Sequence, residues 1–291
     1  MKSKSLYGTG VALVTPFDEK GRIDFKSLKK LLTHTVKGVD YFVVMGTTGE
    51  SVTLSKEEKK SVLSFVIQNN RRQLPIVYGI GGNYTQAVIE EIKSTNLKGV
   101  DALLSVSPYY NKPSQEGIYQ HFVAVAKASP VPIILYNVPG RTASNITAET
   151  TLRLAKNKKI IGIKEASGNL EQCMHIAKSK PEDFLLISGD DMLTLPIYSI
   201  GGVGIISVLA NAYPIIFKKI KEFTFAGKYS KAQLELFKLL EINGHMYEEG
   251  NPVGLKYLLK LMGIGNGKVR LPLVEASASL QKKIETNFRK I

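Results

Sequence analysis

Lys164 closes "IIGIK" (160–164), a run of apolar and small residues with the β-branched character of a buried strand. A lysine in that place ordinarily marks where a strand leaves the core, with its ammonium in water, because lysine is almost never buried without a partner. The alternative is a nucleophilic amine, which needs a dry pocket in which its neutral form is accessible. The surrounding inventory separates the two. Hydroxyls dominate the ends of the other strand-like runs: Thr47, Thr48, Tyr109, Tyr110 and Tyr136. One arginine, Arg141, stands just past "ILYNVP". One lysine, several hydroxyls and one arginine suit imine chemistry on a carboxylated carbonyl compound. The amine attacks the carbonyl, and tyrosine and threonine move protons. Backbone N–H groups and threonine hydroxyls hold one carboxylate, and Arg141 holds another bidentately.

Taken singly, each motif has a plainer reading. "GTTGE" (46–50) reads as a turn, "SPYYNKPSQEG" as a loop stiffened by Pro108 and Pro113, and Arg141 as a partner for a surface carboxylate. Their joint occurrence at strand ends is what favours chemistry. Metal chemistry is not favoured. Cys173 is the single cysteine, set in "LEQCMHIAK" as a packed thiol on a helix face, and no disulfide within the chain is possible. His34, His121, His175 and His245 all fall in helical segments without ligand spacing, so neither a metal nor a cofactor is expected.

These residues must be positioned by a scaffold, and the chain has a rhythm that supplies one. Strand-like runs ("GVALVTPF", "DYFVVMGTT", "LPIVYGIG", "GVDALLSVSPYY", "VPIILYNVP", "IIGIKEAS", "DFLLISGDD", "GVGIISVLAN") alternate with charged amphipathic segments of helical period such as "DFKSLKKLLTHTVKG". The runs are rich in Val, Ile and Leu on both faces, the pattern of a parallel sheet covered by helices. About eight βα units in roughly 225 residues predict an α/β fold, a (β/α)₈ barrel, whose chemistry sits at the C-terminal strand ends. A doubly wound sheet is the competitor, but "YGIGGN" and "IGGVGI" match neither G-x-G-x-x-G nor the phosphate-loop spacing. Strand signal stops after Gly227. The expected organisation is a catalytic barrel over 1–227 and a helical extension over 228–291, with helices in "YSKAQLELFKLLEING", "NPVGLKYLLKLMG" and "SASLQKKIETNFRKI".

The net charge of +14 raises the question of nucleic acid. The lysines are scattered at spacings of a solvated helix face, as in Lys26, Lys29, Lys30 and Lys37, and no nucleic-acid motif accompanies them. No membrane-spanning run of about 18 apolar residues occurs. The opening "MKSKSLYGTG" lacks the apolar core of a leader, which together with the lone cysteine predicts a cytoplasmic protein.

The ordered set "GTTGE" (46–50), "SVSPYYNKPSQEG" (105–117), "ILYNVPGRT" (134–142), "GIKEASG" (162–168) and "SGDD" (188–191) resembles the dihydrodipicolinate synthase family of pyruvate-dependent class I aldolases and lyases, over nearly the whole chain. The resemblance implies that Lys164 forms an imine with pyruvate and that Tyr136 donates and accepts protons there. It implies that Thr47 links Tyr136 to a Tyr110 contributed by the neighbouring subunit, and that Thr48 binds the pyruvate carboxylate. Arg141 would hold the carboxylate of L-aspartate 4-semialdehyde, with Gly189 and Ile206 lining the pocket. The implied reaction is the first committed step of diaminopimelate and lysine biosynthesis, in a homotetramer built as two tight dimers. N-acetylneuraminate lyase and keto-sugar-acid aldolases resemble the chain in outline, but lack the "NVPGRT" arginine suited to a second small carboxylate. A non-catalytic binding protein on a barrel scaffold would not need Lys164, Tyr136, Thr47 and Tyr110 together. In some members L-lysine inhibits at the tight-dimer interface. Ser51, Asn83, Tyr109 and Tyr110 match that pattern, whereas Ala87 replaces a glutamate and Lys59 a histidine, which predicts weak or absent inhibition.

Overall fold

In the computed structural model, which describes residues 6–291, the apolar runs become strands β1 (Gly8–Ala12), β2 (Tyr41–Val44), β3 (Ile76–Gly79), β4 (Ala102–Val106), β5 (Ile133–Asn137), β6 (Ile160–Glu165), β7 (Leu185–Ser188) and β8 (Gly204–Ser207). They form one closed barrel in chain order. The expected (β/α)₈ architecture is the one observed, and it follows from the strand composition. A strand such as "IILYN" in β5 is buried along its whole length, so both of its faces must be apolar and its polar residues are confined to its end. The opening residues 1–5, read above for a leader, lie outside the described residues. Among the described residues no helix is long and apolar enough to cross a membrane.

The chain divides into two compact units. One comprises residues 75–206 with residues 6 and 7. Its strands pair parallel, and the β5–β6 register sets Tyr136 beside Lys164 and Asn137 beside Glu165. Glu165 in turn pairs with Ser188 of β7. Helices begin where the sequence caps them: Ser114 accepts from the Gly117 N–H at the start of Gln115–Ala128, and Asn169 accepts from the Gln172 N–H at the start of Leu170–Ser179.

The other unit comprises residues 8–74 and 207–291. It joins β1 and β2 in parallel register, Val11 beside Phe42, to the helices of the C-terminal region. Helix Lys56–Asn69 opens with a capping box, Ser55 and Glu58 each bonding the other's backbone N–H. The run "YSKAQLELFKLLEING", read as one helix, forms two, Tyr229–Phe237 and Leu240–His245. The break is a tightened turn, the Leu239 N–H donating to the Leu236 carbonyl at 3.0 Å, and it carries Leu239 fully into the core. Helices Val253–Leu261 and Ala278–Phe288 lie where the periodicity predicts them.

Candidate active site

Lys164 is the last residue but one of β6, with its side chain inward, and only 6 % of its surface reaches solvent. Its ammonium lies 4.3 Å from the ring centroid of Tyr136, itself 7 % exposed. Among the described residues no acidic side chain pairs with Lys164, so the solvated strand-end reading is not what the fold builds. Gly189, just past β7, crowds the stem of this lysine: a Cβ there would stand 3.0 Å from the Lys164 Cε. Ile206 of β8 is fully buried. Lys164, Tyr136 and Gly189 are thus brought together by adjacent strands.

Arg141 sits in the short helix Pro139–Thr142 with its side chain exposed. The loop after β4 reaches the same place. Tyr110 donates its backbone N–H to the Thr142 carbonyl at 3.4 Å, and Ser144 ties the two loops by bonding Ser107 at 3.1 Å and the Pro108 carbonyl at 2.9 Å. Tyr110 holds a left-handed backbone, φ +73°, uncommon for a bulky residue, and its side chain is 86 % exposed.

The threonine motif lies in the other unit. Thr47–Gly49 form a short 3₁₀ turn after β2, with Thr47 exposed and Thr48 buried. The Thr48 hydroxyl accepts from Asn251 Nδ2 at 3.0 Å, and the Thr15 hydroxyl donates to the Gly49 carbonyl at 2.7 Å. The turn closes on itself, the Gly49 N–H donating to the Gly46 carbonyl and the Glu50 N–H to the Thr47 carbonyl, each at 3.0 Å.

One site element escapes the sequence reading. Glu165 is 2 % exposed, with no cation against it among the described residues. Its carboxylate accepts from Asn137 Nδ2 at 3.0 Å, from Gln172 Nε2 at 2.8 Å and from the Ser167 N–H at 2.9 Å. Asn145 links Asn137 to Gln172 by bonds of 2.7 and 2.8 Å. Neutral donors therefore carry a buried charge, which would otherwise cost several kcal/mol. Alternation along β6 places Glu165 opposite Lys164, and nothing in the local sequence signals its burial. Only the amide side chains of Asn137, Asn145 and Gln172 hint at it, and they are scattered along the chain. Burial, with Glu165 adding to it, pushes the Cys173 thiol up to about 12, as befits a packed and unreactive group. Among the described residues no cluster of three or more His, Cys, Asp or Glu could hold a metal.

The chain also matches known proteins along nearly its whole length. Residues 5–291 match the model of the dihydrodipicolinate synthetase family. The chain is 52 % identical over 288 residues to 4-hydroxy-tetrahydrodipicolinate synthase of Cytophaga hutchinsonii, covering 99 % of this chain and 97 % of that one. The crystal structure of a dihydrodipicolinate synthase from Bacillus anthracis superposes with a TM-score of 0.94 at 37 % identity, covering 98 % of each chain. A structure described as the first monomeric dihydrodipicolinate synthase variant gives 0.95 at 33 % identity, covering 99 % of this chain and 97 % of that one. With its strand-end lysine, its paired tyrosine and a match along nearly its whole length, the chain belongs to the dihydrodipicolinate synthetase family.

Proposed function

We propose that Lys164 is the Schiff-base nucleophile with which this enzyme, a lyase of the class I aldolase type, condenses pyruvate with L-aspartate 4-semialdehyde. The observation that carries the assignment is a buried lysine against Tyr136 with no acid partner among the described residues. Lys164 Nζ attacks the pyruvate carbonyl, and loss of water leaves the imine. Tyr136 supplies and removes the protons of these steps. The imine acidifies the adjoining methyl group, the resulting enamine attacks the aldehyde carbon, and the amino group of the semialdehyde then displaces Lys164 from the imine carbon, closing the ring and freeing the lysine. Thr48 and the backbone of its turn hold the pyruvate carboxylate, and Arg141 holds that of the aldehyde. Thr47 passes protons between Tyr136 and Tyr110, while Gly189 and Ile206 shape the wall. The sugar-acid lyase reading is not favoured, since the similar proteins named above are synthases. Incubation with pyruvate and borohydride should tag Lys164 irreversibly. A tag on another lysine, or none, would falsify the assignment.

The same reading makes the enzyme a cytoplasmic homotetramer, a dimer of dimers in which Tyr110 serves the neighbouring site. It divides the chain into a catalytic barrel over 1–227 and a helical domain over 228–291. Support for the crossover comes from the exposed Tyr110 ring on its left-handed backbone. Coexpressed Tyr110→Phe and Lys164→Ala subunits should recover activity in mixed dimers, and mixed dimers without recovery would exclude the crossover.

A further inference from the structure

Glu50, the last residue of "GTTGE", ends the threonine turn in a left-handed conformation, φ +52°, and its N–H closes the turn on the Thr47 carbonyl at 3.0 Å. L-residues adopt that backbone only when something else holds them there. The Thr53 N–H and hydroxyl donate to the Glu50 carbonyl at 2.9 and 3.0 Å, and the Glu50 side chain is anchored as well. The carboxylate forms an ion pair with Lys256 of the helix Val253–Leu261, and the two side chains are only 2 % and 3 % exposed. The other carboxylate oxygen accepts from the Arg270 N–H at 3.1 Å. Lys256 Nζ is fixed in turn by the Lys268 carbonyl at 2.8 Å and by the face of Phe17, 3.9 Å to the ring centroid. The Arg270 guanidinium completes the frame by donating to the Thr53 carbonyl at 2.9 Å.

Stability alone is a poor reason for such a pair. Burial pushes the Lys256 ammonium down to about 8 against the opposing pull of Glu50, so desolvation outweighs the attraction. Apolar residues of similar volume commonly do as well in such a place or better. An ion pair supplies what apolar packing does not, a fixed direction, and the residue so directed adjoins Thr48 and Gly49.

We propose that Lys256, acting through Glu50, is a positioning residue for the pyruvate-carboxylate cradle: the buried pair sets the orientation of the Thr47–Gly49 turn. The inference rests on the assignment of Thr48 to the pyruvate carboxylate. It gives the C-terminal region a part in substrate binding although Lys256 itself touches no substrate.

The test is borohydride trapping at graded pyruvate, with melting curves, for wild type, Lys256→Met, Glu50→Gln and the Glu50→Gln/Lys256→Met double variant. Each single change should raise the half-saturating pyruvate concentration about tenfold or more, since small misplacements of positioning groups cost up to roughly 10²-fold. The half-saturation for aldehyde, measured at saturating pyruvate, should stay within about twofold. The double variant separates orientation from stability. With no charge left unpaired it should melt closer to wild type, yet keep the pyruvate defect. A folded variant at either position, or a stable double variant, that saturates with pyruvate as wild type does overturns the proposal. Wild type that takes no tag at Lys164 overturns the assignment beneath it, which is a separate result.

Discussion

Replacing Gly189 with alanine tests whether the stem of Lys164 is held by contact. The added Cβ would lie 2.5 Å from the Ala166 Cβ, 3.0 Å from the Lys164 Cε and 3.2 Å from the Ala166 Cα. Carbon atoms pack at about 3.5–4.0 Å, so the overlap with Ala166 is about 1 Å and that with the lysine several tenths of an ångström. Alanine has no rotamer with which to yield, and the Gly189 N–H is anchored to the Glu165 carbonyl at 2.7 Å. The strain must therefore move the β6–β7 edge or the lysine. Overpacking of this kind costs about 1–3 kcal/mol of stability, and a displacement near 1 Å of a reacting group costs about 10²-fold in rate. The assay is the rate of imine trapping at saturating pyruvate, alongside a melting curve. The Ala166→Gly/Gly189→Ala double variant removes the largest clash and leaves those with the Lys164 Cε at 3.0 Å and the Cα of residue 166 at 3.2 Å. It should regain most of the lost stability but only part of the rate. If Gly189→Ala folds and traps pyruvate at the wild-type rate, the wall at Gly189 does not position the lysine.

Arg141→Ala should leave imine formation intact while weakening the aldehyde step by roughly 10–100-fold, the worth of a charge-assisted hydrogen bond of about 1.5–3 kcal/mol. Poor pyruvate binding with normal handling of the aldehyde would contradict it. His121 is 5 % exposed, its Nδ1 bonded to the Thr85 hydroxyl at 2.9 Å, and burial pushes it down to about 4. The unfolded chain takes up this proton near pH 6.5, so stability falls as pH drops from about 6.5 to about 4, by a total on the order of 3 kcal/mol. Denaturant titrations across that window should show the slope, and His121→Gln should flatten it. Added L-lysine should leave the steady-state rate nearly unchanged, because Ala87 stands where sensitive relatives place an acid worth about 1.5–3 kcal/mol to the ligand's cation. Strong cooperative inhibition at submillimolar lysine would refute this and point to Glu91, or to Glu90, whose carboxylate accepts from Gln86 at 2.9 Å, as a substitute.

The parts of this molecule legible in its sequence are those governed by short-range pattern. Continuous apolar runs reveal parallel strands because both faces of such strands are buried, and Lys164 and Tyr136 are visible as polar residues ending those runs. The hidden parts are pairings between distant residues. No local signal joins Glu50 to Lys256 or Glu165 to Gln172, since a buried carboxylate reads in sequence like a solvated one until its partners are known. The β5–β6 register shows how the legible and the hidden depend on each other. Tyr136 faces Lys164, and at the next step Asn137 faces Glu165. The first pair points inward, where a tyrosine and a lysine can share protons with a substrate. The second points outward under the helices, where Asn137 gives the Glu165 carboxylate bonds that a one-residue slip would break. A slip would also carry Lys164 out of the barrel and bring Glu165 into it. The unpaired cost of Glu165 in any other register therefore keeps Lys164 beside Tyr136. The buried carboxylate thus excludes the wrong alignment of the two strands that carry the proposed nucleophile and its tyrosine.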